Sequence, residues 1–441
     1  KVTFVTTNDA CSNGVDLVHG KYVHSCIEAS TFHRDVTLAN ALINMYEKCG
    51  KLHDASGIFD GILEKNIVSW NTMITAYAKR EHGKEALQVF AQMKHEGFEV
   101  DRVTLYGYFD ACAGENALSL GIQMHACICI TESDTIKLDE FLGSSLISMY
   151  GKCGNLEYAQ TVFDKIPQCN VITWNALIVS YANLGRRKKV LILFDQLLWE
   201  GMTPTEPTFV GMLNAFAEPA SLADGERIHC IILSCGYGLD VIVGNALINM
   251  YGKCGSLSFA RSIFDKMLER DVISWTSIIG VYGEHGQGKK SLLLFEEMRK
   301  LVVPDEVTFL NVLTACNRSG LADDGKHWFE AMSKSYGIVP NPDHYSCMID
   351  LLGKSGCIEE AQSLMMKMPF PPTYNAWMAF LGACRCKIDV KRAEIAACHL
   401  FESYPQNHQP YILLANLYTA AGMIEDASCL LSIMQSKFTK T

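Results

Sequence analysis

Eighteen cysteines in 441 residues are enough for a metal centre or a disulfide framework. Their spacing supports neither. No Cys-x-x-Cys occurs, and the tightest pairs are Cys127 with Cys129 and Cys384 with Cys386. Most cysteines instead recur beside apolar neighbours, as Cys112 and Cys316 do, or Cys49, Cys153 and Cys254. A free cysteine packs as a small hydrophobe, so these read as reduced, structural thiols in a reducing compartment. No run of eighteen apolar residues is free of charges and turns, so no membrane-spanning helix is expected. The formal net charge of −10 argues against a strong non-specific grip on phosphates. Positive charge must then be confined to one face, or affinity must come from other contacts. The chain opens at Lys1 without an initiator Met, which reads as a fragment or a processed form.

What positions these residues is a repeat. Asn-Ala-Leu-Ile-Asn-Met-Tyr begins at Asn40 and returns, with small changes, at Ser144, Asn245 and Ser346, a super-period of about a hundred residues. Three copies continue into a Lys-Cys-Gly ending at Gly50, Gly154 or Gly255. A second series, Val-Ser-Trp-Asn and its variants, carries Trp70, Trp174 and Trp275. A third carries Val103-Thr, Pro207-Thr and Val307-Thr. Each super-repeat therefore holds three units of about 35, 31 and 35 residues.

Each unit reads as two helices. The first ends near Tyr46, Tyr77, Tyr150, Tyr181, Tyr251 or Tyr282. A turn with a C-cap glycine is expected at Gly50, Gly83, Gly154, Gly185, Gly255 or Gly286. The second carries Ala55 with Phe59, Ala86 with Phe90, Ala159 with Phe163 and Ala260 with Phe264, four apart and so on one face. A hairpin this short cannot bury its apolar face alone, so stacking is required and the fold class is an all-α solenoid. A tetratricopeptide array is the alternative, but its Trp, Leu-Gly and Tyr spacing is missing.

The alternation of unit lengths, with Met-Tyr-x-Lys-Cys-Gly and Val-Ser-Trp-Asn, resembles the PLS class of plant pentatricopeptide repeat proteins over essentially the whole chain. The resemblance implies a right-handed superhelix of stacked helix-turn-helix repeats. It implies L-S-P triplets over residues 1–340, ending in an L2 unit, and an S2 repeat over 341–372. The segment around Trp377 resembles the E1 motif (373–405), and Tyr411 to Tyr418 resembles E2 (406–441). Two departures stand out. Residues 131–138 lengthen the second L unit, and the third P unit is one residue short near Lys300 to Pro304.

Helical repeats on a common pitch can each read one RNA base, with short side chains of Asn, Ser, Thr or Asp supplying donors and acceptors. By resemblance, selectivity lies in the fifth and last residues of a unit. The pairs are Asn40 with Asn66, Asn71 with Asp101, Ser144 with Asn170, Asn175 with Thr205, Asn245 with Asp271 and Thr276 with Asp305. Ser346 with Thr373 would add a purine preference. The L units place Val5, Tyr106, Val210 and Leu310 there and cannot read an edge in the same way. The family's code translates the series as 5′-Y-U-N-A-Y-N-U-G-3′. A polar residue early in a helix could equally serve as a cap. Second-position residues Thr37, Val68, Phe141, Ile172, Ile242 and Ile273 would sandwich bases, with core packing as the alternative. Lys48, Lys79, Lys152, Lys253 and Lys354 fall at the thirteenth position, where a row of cations can follow phosphates. The same lysines would also suit helix C-termini. Asn183 and Glu284 interrupt the row.

PLS proteins with E motifs select sites for C-to-U editing of organellar transcripts. The chemistry takes a zinc deaminase with His-x-Glu and Cys-x-x-Cys. Neither motif is present: His95 is followed directly by Glu96, and no His has Glu two residues on. The expectation is a non-catalytic, cofactor-free protein of mitochondrion or chloroplast. It would bind single-stranded RNA and recruit a deaminase in trans, with small organellar editing factors as further partners. The alternatives are an RNA-stabilising subunit of an organellar ribosome or splicing particle, and a protein-binding scaffold.

Overall fold

The computed structural model describes residues 1–131, 139–218, 222–238 and 240–438. Beyond Thr131, the lengthening expected at residues 131–138 lies outside them. Among the described residues there are twenty-six α-helices, from Val2–Asn13 to Ile424–Phe438, and no strand. The chain divides into two compact units, residues 1–215 and 216–441, each a stack of helix pairs. The fold is an α-solenoid.

Short polar residues start the first helices. Asp35 accepts from the Thr37 and Leu38 amides ahead of Val36–Lys48. Asn66 with Ser69 and Asp101 with Thr104 form reciprocal capping boxes ahead of Ile67–Lys79 and Arg102–Gly114. Asp271 with Ser274 and Asp305 with Thr308 repeat the device in the second unit. Each satisfies amides that a helix start leaves orphaned, and is worth roughly 0.5–2 kcal/mol.

The helices stop at left-handed residues. Gly50, at φ 71°, donates to the Glu47 carbonyl at 2.9 Å, and the Lys51 amide reaches Tyr46 at 2.8 Å. Gly154, Gly185, Gly255 and Gly286 share the positive φ. Gly83 does not. The left-handed position in that turn belongs to Glu81, at φ 62°, and Gly83 opens the next helix. Its glycine character serves packing: a Cβ there would lie 2.7 Å from the Ala111 carbonyl oxygen.

The alanine–phenylalanine pairs of the second helices are buried throughout. Phe59 meets Trp70 edge-on at 5.1 Å, Phe163 meets Trp174 at 4.6 Å, and Phe264 meets Trp275 at 4.8 Å. The Val-Ser-Trp-Asn series is thus the joint between successive hairpins. All eighteen cysteines are free. Burial pushes the thiols of Cys112, Cys316 and Cys384 up to about 12, which leaves them as inert packing groups.

A second recurring joint is polar. His24, His125 and His229 hydrogen-bond the hydroxyls of Tyr46, Tyr150 and Tyr251 at 2.9, 2.8 and 2.9 Å. Burial first, and then Lys165 or Lys266, lowers the titration of His125 and His229 below the ordinary imidazole value. An unfolded histidine titrates near about 6.5, so the unfolded chain takes up these protons first. Stability is full above that pH and is lost as pH falls through it. The thermal midpoint should therefore fall between about pH 7.5 and 5.5, above the carboxylate range. A flat midpoint across this window would show that both imidazoles protonate in place without penalty.

Candidate nucleic-acid interface

The fifth-position residues sit in the second turn of each first helix, five residues beyond the N-cap. Asn40, Asn71, Asn175 and Thr276 are buried, and Ser144, Asn245 and Ser346 are half-buried. They do not cap their helices. Capping falls to the partner position instead: Asn66, Asp101, Asn170, Asp271, Asp305 and Thr373 are all N-caps of the following helix. The cap and the expected partner of the fifth-position residue are therefore one residue, which fixes that residue rigidly.

Three of the expected pairs are joined directly. Asn71 Nδ2 donates to both Asp101 oxygens at 2.9 and 3.1 Å. Asn175 Nδ2 donates to Thr205 Oγ1 at 3.0 Å, and Asn245 Nδ2 to Asp271 Oδ1 at 3.2 Å. The other pairs turn elsewhere. Ser144 donates to the Phe141 carbonyl and Ser346 to the Pro342 carbonyl, within their own helices. Asn170 Nδ2 meets Glu140, and Thr276 meets Thr308 rather than Asp305. The Oδ1 atoms of Asn40 and Asn245 are buried with no partner. Burial pushes the Asp271 carboxyl up, but hydrogen bonds from the Ser274 amide and hydroxyl and from Asn245 outweigh it. The carboxyl is held below its usual range and stays an acceptor at neutral pH.

The second-position residues are on the surface. Val68 is 54% exposed, Phe141 51%, Ile172 62%, Ile242 54% and Ile273 60%, while the residue two positions on is buried in each case. Thr37 is exposed as well, with Lys1 Nζ on its hydroxyl at 3.2 Å. Large apolar side chains left half open at one repeat position do not belong to the core. They are available to stack on flat apolar faces. Val103 and Val307, the second residues of Arg102–Gly114 and Glu306–Ser319, are exposed to the same degree. Both stand in the Val-Thr triplets that mark the third series, so their phase was readable although no role was assigned to them.

These positions converge in grooves between neighbouring hairpins. A cavity of about 470 Å³ is lined by Asn40, Val68, Asn71, Lys79, Asp101 and Val103 among others. One of about 370 Å³ gathers Tyr106, Ser144, Lys152, Ile172 and Asn175, and one of about 440 Å³ gathers Phe141, Ser144, Asn170 and Ile172. In the second unit, about 310 Å³ is bounded by Ile273, Thr276, Asp305 and Val307. A larger cavity of about 990 Å³, beside His24, Tyr46 and Asp54, contains none of the expected base-contacting residues.

Each of the five lysines is the last residue of its first helix. Three of them bridge back to the preceding first helix. Lys48 donates to Asn13 at 3.0 Å, Lys152 pairs with Asp110 at 3.3 Å, and Lys354 donates to Asn317 at 3.1 Å while pairing with Asp350 at 2.6 Å. Exposed pairs of this kind are worth about 0–1 kcal/mol, so a phosphate can compete for them. The acidic balance of the chain thus reaches into the lysine row itself. Among the described residues no cluster of His, Cys, Asp and Glu is arranged to hold a metal ion.

Hairpins that repeat a short polar residue and an exposed residue at fixed positions of the first helix, several with a terminal lysine, define a modular α-helical repeat protein. Models of the PPR repeat match residues 38–67, 144–171, 172–202, 245–272, 273–301 and 343–369, and a PPR repeat family model matches 65–114. The chain is 35% identical over 94% of its length to the mitochondrial pentatricopeptide repeat-containing protein At1g06140 of Arabidopsis thaliana, covering 74% of that protein. It is 40% identical over 92% of its length to the chloroplastic protein At1g11290 of the same plant, covering 50% of it. The chain belongs to the pentatricopeptide repeat family. It spans from about half to two thirds of the length of several such relatives. Its fold matches crystal structures of maize PPR10, alone (TM-score 0.59, 17% identity, all of this chain, 69% of that one) and with an 18-nt psaJ RNA element (TM-score 0.58, 74% of that chain).

Proposed function

We propose that the chain binds single-stranded RNA in mitochondria or chloroplasts, one base per S or P hairpin, and belongs to the PLS subclass. The supporting observation is the groove that brings Asn71 and Asp101 together with the exposed Val68 and Val103 and with Lys79. A polar pair between two apolar walls, with a cation at the rim, suits a nucleotide: edge, two faces and phosphate. Relatives with chloroplastic and mitochondrial names, and the PPR10 complex with RNA, support the same reading.

Within it, residues 341–372, 373–405 and 406–441 act as the S2, E1 and E2 segments. The bound site positions a cytidine for C-to-U editing by a deaminase recruited in trans, with small editing factors as further partners, and the chain itself carries no catalytic residue. The test is binding of the full chain to RNA carrying Y-U-N-A-Y-N-U-G against RNA with the S- and P-matched bases swapped. A clear preference for the matched RNA is expected. Equal affinity for both would remove the base-reading assignment and return the fold to protein scaffolding.

A further inference from the structure

We propose that Thr104, Thr208 and Thr308 are positioning residues that lock the base-facing side chains of P units, and that S units lack this lock. The inference rests on the RNA-binding reading above. Each threonine is the third residue of an L-unit first helix. Thr104 Oγ1 lies 2.6 Å from Asn71 Oδ1 and 2.8 Å from Asp101 Oδ1, while Asn71 Nδ2 faces the Asp101 carboxylate. The Asn71 amide is thus held at both of its polar atoms, and turning it over would break the contacts at Oδ1 and at Nδ2 together. Thr208 makes the same contact to Asn175 Oδ1 at 2.6 Å, opposite the bond from Nδ2 to Thr205. Thr308 holds the Thr276 hydroxyl at 2.7 Å.

The equivalent third position after an S unit holds Ser69, Thr173 and Ser274. Their hydroxyls bond their own N-cap residues, Asn66, Asn170 and Asp271, at 3.0, 3.1 and 2.8 Å. The Oδ1 atoms of Asn40 and Asn245 are left without a partner. Hairpin length accounts for the difference. The second helices of S units have ten residues, and those of the first two P units have thirteen. The paired residues are 26 apart in Asn245–Asp271 and 30 apart in Asn71–Asp101.

Asn71 with Asp101 and Asn245 with Asp271 are the same pair of residue types, so identity alone gives them the same base and the same stringency. The lock separates them. N3 and the exocyclic group at C4 show opposite hydrogen-bonding patterns in uracil and cytosine. An amide held only at Nδ2 can swing to meet either base, and an amide held at both Oδ1 and Nδ2 meets one.

The experiment measures affinity of the full chain for an RNA with U opposite both asparagines, and for two RNAs with C at one site or the other. In the unsubstituted protein, U→C should cost about tenfold more opposite Asn71 than opposite Asn245. Thr104→Val should bring the Asn71 penalty down to the Asn245 level and leave the latter unchanged, and Thr104→Ser should restore it. Thr104 also closes a capping box, so Ser274→Ala, which opens the box beside Asn245, is the control and should leave discrimination at that site unchanged. Equal penalties at the two sites, or a Thr104→Val protein that keeps its full preference, would overturn the lock while leaving RNA reading intact. No preference at either site would overturn both.

Discussion

Replacing Asn71 and Asn245 together by alanine should weaken binding of the matched RNA by about a hundredfold, from about 1.4 kcal/mol lost at each site. Each substitution removes the short amide that stands beside a carboxylate in a groove walled by exposed apolar residues. The base then keeps its stacking but faces Asp101 or Asp271 without the donor that tempers the acid's charge. RNA carrying other bases at these two positions should lose far less, because it gains little from the amides in the first place. That asymmetry is the informative result. Lys79→Ala provides the contrast: a phosphate contact should weaken every RNA alike and flatten the salt dependence by about 0.7 in the log–log slope. The carboxylates already on Lys152 and Lys354 predict a shallow slope overall. If the double alanine protein lost affinity uniformly across sequences, the asparagines would be structural and the base-reading assignment would fail. Thermal midpoints must accompany the binding data, since Asn71 also bonds Thr104 and Asp101 within the fold.

Most of the scaffold was legible because a repeat states its rule several times. Ala55 with Phe59 and its counterparts announce a buried stripe, and Gly154, Gly185, Gly255 and Gly286, all with positive φ, sit at the same offset from a tyrosine as Gly50. Gly83 misled because it lies two residues beyond the true turn. A glutamate at φ 62° takes the turn position, at a cost of about 1–2 kcal/mol that no residue pattern advertises. The second-position residues were ambiguous for a geometric reason. A valine one turn before the buried stripe is covered or open according to how far the next hairpin reaches, and that reach depends on stacking. The threonines were printed in the third series itself, but their contacts run some thirty residues backward to another helix. Local spacing cannot show such a bond.

The largest expected loss of stability follows Trp70→Ala. Trp70 is fully buried, and Phe59 meets it edge-on at 5.1 Å from the preceding second helix. Phe98 tilts against it at 6.0 Å, and Lys65 Nζ lies over both the Phe59 and Trp70 rings at 5.0 and 5.9 Å. Removing a buried indole costs about 3–5 kcal/mol, and the edge contact adds about 0.5–1.5 kcal/mol. In a solenoid that loss is not shared over the chain, because each hairpin touches only its neighbours. The joint between Leu52–Gly61 and Ile67–Lys79 should therefore open before the rest. Urea unfolding should separate into an early step with a reduced slope and a later step close to the unsubstituted transition. Limited proteolysis should cut near the turn at residues 62–66. Trp70→Phe should behave differently, because the Trp70 Nε1 donor is buried without a partner and its removal offsets part of the lost area. One cooperative transition shifted as a whole for Trp70→Ala would show that the hairpins unfold together and that the Phe–Trp joint is not a local hinge of stability.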